Sequence, residues 1–122
     1  MLRVVSLEPS FLKFEETFTP KIVGELNGQH VKLVHLEGDK VPWHTHDGED
    51  ELFFVVEGEL EVLTREGSVL LQKDEFCIVP RGVEHKVVPK GHIRLMLFEP
   101  AGIAHTGDVR SEITRDRAEW LE

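Results

Sequence analysis

The sequence predicts an all-β protein, an antiparallel sandwich or barrel of about nine or ten short strands. Two observations support this prediction. Short apolar or alternating segments recur along the chain, and turn signals rich in glycine, proline, asparagine or aspartate separate them about every 6 to 12 residues. We see no repeat, linker or low-complexity segment. A chain of 122 residues with this pattern is expected to form one domain over 1–122, large enough to bury roughly two-thirds of its unfolded surface.

The N-terminal third of the chain contains the clearest hairpin. Residues 1–20 predict an initial strand and then an irregular covering segment, with a short helix possible over 9–14 after Pro9. Residues 21–26 and 30–36 are strand-like, and Asn27-Gly28 lies between them. Because Asn-Gly readily takes the positive φ angles of a type I′ turn, the two segments should pair as a hairpin.

The strands that follow are shorter and more closely spaced. Residues 52–56 are apolar at every position, which predicts a strand covered on both faces. We expect a turn at Glu57-Gly58 and an alternating strand over 59–63. Further turns at 65–67, 73–75, 80–82 and 89–91 should separate the remaining strands, the last over 92–98. The tail, 99–122, is expected to contain loops and to end in one or two helical turns within 114–121.

One group of polar residues has the pattern of a metal site: His44, His46, Glu51 and His85. Side chains at i and i+2 of a strand point to one face, so the first two imidazoles could share a space. Asp47-Gly48 would turn the chain so that the carboxylate returns beside them, and the last histidine follows a Pro-x-Gly turn. Three imidazoles and a carboxylate suit one divalent transition metal ion, namely Zn, Fe, Mn, Ni or Cu. Either Glu49 or Asp50 could also bond a histidine.

The spacing Gly-x5-His-x-His-x4-Glu-x6-Gly over 38–58, followed by Pro-x-Gly-x2-His, resembles the two-motif signature of the cupin superfamily. The second motif, 74–89, is partial, because Asp74 and Pro89 stand where the family pattern has Gly and Asn. The resemblance implies a jelly-roll β-barrel in which the three histidines and Glu51 hold the metal. Small cupins of this kind are often described as similar to mannose-6-phosphate isomerase, but that description rests on the shared barrel, which does not determine function.

Alternation along the strands predicts which side chains surround the site. If Glu51 faces the interior, Phe53 and Val55 face it too and should line the pocket. Cys77 lies in an apolar strand and could either be a buried packing residue or face the pocket. His105 could add a polar group if the tail folds across the mouth of the barrel.

The same alternation places three apolar side chains on the outer face of the sheet: Leu52, Phe54 and Val56. They need cover from the second sheet, from the N-terminal segment or from another subunit. We expect a homodimer, because cupin dimers commonly form through such a face.

Composition narrows the possible partners. The net charge is −9 and no basic cluster is present, so nucleic acid and anionic membranes are poor candidates. Nothing in the chain approaches the length of a membrane-spanning segment, and the N-terminus lacks a long apolar signal core. The lone cysteine, Cys77, has no intramolecular disulfide partner. We therefore expect a cytoplasmic protein.

Two functions remain open at this point. A metal with one or two positions left for water or substrate suits an enzyme acting on a small organic molecule, through dioxygenation, isomerisation or lyase chemistry. Few basic residues are expected to face inward, which argues against a sugar phosphate as substrate. The alternative is a non-catalytic cupin that binds or senses a small metabolite, because no further catalytic constellation is visible.

Overall fold

A computed structural model describes residues 2–101 and 118–122. Within these ranges the chain forms one short helix and seven strands: α1 (Leu7–Phe11), β1 (Lys21–Leu26), β2 (Gln29–Leu36), β3 (Glu51–Thr64), β4 (Gly67–Leu71), β5 (Phe76–Val79), β6 (His85–Pro100) and β7 (Glu119–Trp120). The predicted all-β fold is confirmed. The short helix begins two residues before the predicted 9–14 segment and ends earlier.

The strands lie in the order β4-β3-β6-β2-β1-β7, and β5 also pairs with β3. Every pairing is antiparallel except that of β1 with β7. Over the described ranges the sheet does not close on itself, since β4 and β7 end the hydrogen-bonded path. The arrangement is a jelly-roll-like sheet that curls around one interior.

The β1–β2 hairpin forms as predicted. Lys21 pairs with Leu33 and Leu26 with Gln29, so Asn27 and Gly28 make the connection. Their φ angles are 51° and 78°, the positive values that a type I′ turn requires.

The predicted turns at Glu57-Gly58 and at residues 89–91 are wrong. β3 and β6 run through these positions as strands of 14 and 16 residues, which reduces the number of strands below the predicted nine or ten. The β3–β6 register instead shifts between Val55 and Glu59, as in a β-bulge. Bulges bend a strand without ending it, and a glycine at positive φ is a common component. Gly58 and Gly91 supply φ angles of 92° and 75° at this bend.

Two apolar clusters lie on opposite faces of the sheet. The interior cluster contains Phe53 and Val55, which are 4% and 0% exposed and follow the predicted alternation. On the outer face, Phe11, Phe14 and residues of β1 and β2 form a second cluster, and Val56 packs against it. The N-terminal segment thus covers part of the outer face.

The C-terminal tail does not end in the predicted helical turns. Residues 114–117 of that prediction lie outside the described ranges, but Glu119 and Trp120 pair with Lys21 and Ile22 as a strand. In the described part of the chain, no helix has both the length and the apolar character needed to cross a membrane.

Candidate metal centre

The four residues predicted as metal ligands meet in the interior. His44 and His46 lie in the segment before β3, Glu51 is the first residue of β3 and His85 the first of β6. One donor atom from each residue lies within 4.8 Å of all the others, and all four side chains are buried. The cluster could therefore hold a metal ion.

Backbone hydrogen bonds join the segments that carry the ligands. The N–H of His44 donates to the carbonyl of His85 at 3.0 Å, and the N–H of His85 donates back at 2.9 Å. This is a single antiparallel bridge rather than the strand expected around His44. Residues paired in this way place their side chains on the same face. The N–H of Gly82 also donates to the carbonyl of His46 at 2.9 Å, which ties the Pro-x-Gly turn to the first motif.

The second nitrogen of each imidazole fixes the orientation of its ring. In all three histidines Nδ1 donates to an oxygen that can only accept: for His44 the carbonyl of Pro42 at 2.8 Å, for His46 the Glu49 carboxylate at 2.9 Å, and for His85 the carbonyl of Val83 at 2.9 Å. Each lone pair is then on Nε2, the tautomer that binds a metal through that atom. Of the two acidic residues considered for this role, Glu49 contacts a histidine. Asp50 instead accepts from the backbone N–H of Arg81 at 2.9 Å.

Glu51 completes the cluster. Its Oε1 lies 3.4 Å from Nε2 of His46 and 3.4 Å from Nε2 of His85. None of these three buried atoms has a hydrogen-bond partner among the residues that the structure describes. Buried polar atoms without partners are costly, and a shared cation would satisfy all of them. Neighbouring ligands about 2.1 Å from one metal ion lie about 3.0 to 3.4 Å apart in octahedral or tetrahedral coordination, so these two separations are compatible with a shared ion.

Burial disfavours charge on both kinds of ligand. It raises the pKa of Glu51, and it lowers the pKa of His85, although the hydrogen bond to Val83 opposes the second shift. A neutral imidazole is the form that binds metal. A divalent cation would favour the ionised carboxylate, which burial alone opposes.

Two charged residues that the sequence prediction missed lie behind Glu51. Lys32 and Glu99 are 2% and 0% exposed, and Lys32 Nζ donates to Glu99 Oε1 at 3.0 Å. Burial raises the pKa of Glu99 well above its usual value, and the neighbouring Glu51 raises it further while Lys32 opposes the shift. Alternation could have found both, because Glu99 follows Leu95 and Leu97 on the inward face of β6. The expectation of few inward basic residues therefore overlooked Lys32.

A small cavity of about 30 Å³ adjoins the cluster, enough for about one water molecule. His44 and Glu51 line it together with apolar side chains, among them Phe53. Val55 belongs to the interior cluster but does not border this cavity. Cys77 borders a separate open depression of about 400 Å³, where burial and then the charge of Glu51 raise the pKa of its thiol. His105 lies outside the described residues.

Comparison with known proteins assigns this chain to a family. A family model described as Cupin domain matches residues 32–99, more than half of the chain. A cupin-2 domain protein from Shewanella frigidimarina, solved by crystallography, is 36% identical with a TM-score of 0.77, and the match covers 80% of this chain and 94% of that one.

Two curated relatives match with lower coverage of their own length. Tetracenomycin polyketide synthase protein TcmJ from Streptomyces glaucescens is 32% identical over 62% of this chain and 50% of the relative. Homogentisate 1,2-dioxygenase from Bradyrhizobium diazoefficiens is 31% identical over 87% of this chain and 24% of the relative. This chain thus spans half or less of these two proteins. On the family model and the solved structure together, the chain belongs to the cupin family.

Proposed function

We propose that this cupin is a metal-dependent enzyme acting on a small, mainly apolar organic molecule, with His44, His46, Glu51 and His85 as the metal ligands. The observation that supports the proposal best is the set of buried donor atoms within 4.8 Å of one another. Orienting hydrogen bonds on every Nδ1 strengthen it. A divalent transition metal bound there would act as a Lewis acid toward an oxygen atom of the substrate.

The walls of the cavity favour an uncharged substrate, although the cavity, at about 30 Å³, would have to widen to admit one. Apart from His44 and Glu51, the described residues that line it are apolar, contributed by β2, β3, β6 and the segments before β1 and β3. Lys32 points inward, but its ammonium group is bonded to Glu99 and does not border the cavity. A phosphate group would therefore find no cationic partner there. The two curated relatives, a polyketide synthase protein and a dioxygenase, also favour an organic substrate. We propose oxygenase, isomerase or lyase chemistry.

A non-catalytic, small-molecule-binding role is the second candidate. It is favoured by the composition of the same cavity, because its described lining contains no titratable side chain beyond the proposed ligands. General acid–base catalysis needs such a group within hydrogen-bonding reach of the substrate. Turnover of any small molecule by the metal-loaded protein would decide for the enzyme.

Elemental analysis of tag-free protein purified without chelator tests the metal site. We expect near-stoichiometric metal in the wild type and loss of it in His44→Ala/His46→Ala. The matched control, His30→Ala/His92→Ala, removes two histidines outside the cluster and should keep the metal. Iron or manganese would direct assays to oxygen uptake, whereas zinc or nickel would direct them to isomerase, lyase and binding assays. Equal metal content in all three proteins, or none after reconstitution, would refute the proposed site.

We further propose a single-domain homodimer that forms through the outer face of β3, β5 and β6. Cross-strand pairing aligns two apolar rows there, Ile78–Leu52–Phe98 and Phe76–Phe54–Met96. Phe76 and Ile78 are 58% and 54% exposed, which leaves an apolar surface beyond the cover of the N-terminal segment. Light scattering should give a dimer for the wild type and a monomer for Phe76→Ser/Ile78→Ser. Leu26→Ser, at an exposed position elsewhere, should remain dimeric.

A cytoplasmic location also remains our proposal. The lone Cys77, which has no intramolecular disulfide partner, supports a reducing compartment.

A further inference from the structure

The buried pair of Lys32 and Glu99 lies directly behind the proposed ligand Glu51. Phe53 of β3, Leu97 of β6 and Lys32 of β2 are aligned across the three strands. Because Leu52 pairs with Phe98, Glu51 and Glu99 are the next residues along and face the same interior. The two carboxyl groups are close enough for a side-chain hydrogen bond.

Packing alone does not explain why a lysine and a glutamate occupy these buried positions. A buried ion pair must offset the desolvation of both charges, and apolar residues of similar volume often stabilise a fold equally well. The ammonium–carboxylate contact satisfies Glu99 Oε1, whereas Glu99 Oε2 has no hydrogen-bond partner within the described ranges. One oxygen of Glu99 is therefore not used by the contact with Lys32. Neither residue borders the cavity, so neither would contact a substrate there.

We propose that Lys32 and Glu99 are positioning residues for the metal site, holding the Glu51 carboxylate so that Oε1 faces the three imidazoles. The inference rests on the proposed metal-binding function. The two residues that would support Glu51 lie on strand β2 and near the end of β6. The three histidines, in contrast, have their orienting partners within a few positions of their own segments. Such supporting contacts typically change metal affinity about 10- to 100-fold when they are removed.

Cobalt(II) binding tests the inference, because its visible spectrum reports ligand geometry and its dissociation constant can be measured by competition with a chromophoric chelator. In Lys32→Met/Glu99→Leu, both charges are replaced by apolar groups of similar size. We expect the dissociation constant to rise about 10- to 100-fold and the cobalt spectrum to change. Glu99→Gln retains the shape and the hydrogen-bonding capacity of the side chain. Its dissociation constant for cobalt should therefore lie between those of the wild type and the double variant.

The matched control is Lys73→Met/Glu57→Leu, which removes an ion pair of 3.7 Å whose side chains are 61% and 60% exposed. It should bind cobalt as the wild type does. If the double variant and Glu99→Gln both match the wild type in affinity and spectrum, the inference is overturned while the metal site stands. If the wild type itself binds no cobalt, the inference and the proposed function both fail. If the double variant does not fold, Glu99→Gln decides alone, and wild-type values for it overturn the inference.

Discussion

Gly58 is the position at which a single methyl group should cost the fold most. It lies in the bulge where β3 bends against β6, with φ at +92°. A Cβ atom added there would lie 2.8 Å from Cγ2 of Ile93 and 3.2 Å from the carbonyl oxygen of His92. Ile93 is fully buried, so it has little room to move away.

The cost of Gly58→Ala has two parts. Placing an L-residue at positive φ costs about 1–2 kcal/mol. Overpacking a well-packed interior by one carbon typically costs about 1–3 kcal/mol more. We therefore expect the free energy of unfolding to fall by about 3 kcal/mol. For a domain of this size that corresponds to a decrease in Tm on the order of 10 °C.

Gly91→Ala separates the two parts. Gly91 lies in the same bend with φ at +75°, but no described atom lies within 4 Å of a Cβ placed there. Gly91→Ala should lower the free energy of unfolding only by the backbone part, about 1–2 kcal/mol. Urea unfolding of both variants with chelator present, so that metal binding does not contribute, gives the two free energies. Equal destabilisation by the two substitutions, within about 0.5 kcal/mol, would show that the predicted clash at Gly58 does not exist.

Two further predictions concern side chains around the clusters. Glu49→Gln should weaken metal binding about 10-fold or more, because the Glu49 carboxylate orients the imidazole of His46. Asp50→Asn, at the next position, should not weaken it, because Asp50 bonds Arg81 instead. Equal metal affinities of the two variants would contradict this role of Glu49. Burial holds the pKa of His35 below its ordinary value, so the unfolded chain takes up this proton at a higher pH than the native protein does. Wild-type stability should therefore fall more than that of His35→Gln as the pH is lowered from about 7.5 to about 5.5, and parallel urea titrations would refute the assignment.

The sequence predicted which four side chains meet in the interior, because their geometry is mostly local. Two residues at i and i+2, a short turn and the first residue of the following strand are all encoded within a few positions. Alternation then correctly placed Phe53 and Val55 inside. His85 is the exception, since its bridge to His44 joins distant parts of the chain. Only the resemblance to a known motif connected them in advance.

The strand count failed for a different reason. Gly28 and Gly58 both adopt positive φ, and both follow a strand-like segment. The first ends its strand in a tight turn, while the second bends a strand that continues. What distinguishes them is the partner strand, because β6 stays paired with β3 on both sides of the bend. A local pattern of glycines contains no information about that partner.

Lys32 and Glu99 also show that a local sequence pattern does not identify a residue's partner in the fold. Alternation assigns each of them to the interior, where a single charge would be unfavourable, so each residue alone argues against its own placement. They are 67 positions apart, and only the β2–β6 register brings them together. A charged residue at an inward position of a strand is therefore better interpreted as evidence for an unseen partner than as evidence against burial. In this protein the Lys32–Glu99 pair lies beside the carboxylate of the proposed metal site. Tertiary pairing therefore determines this part of the site's surroundings, whereas three of the four proposed ligands are encoded locally.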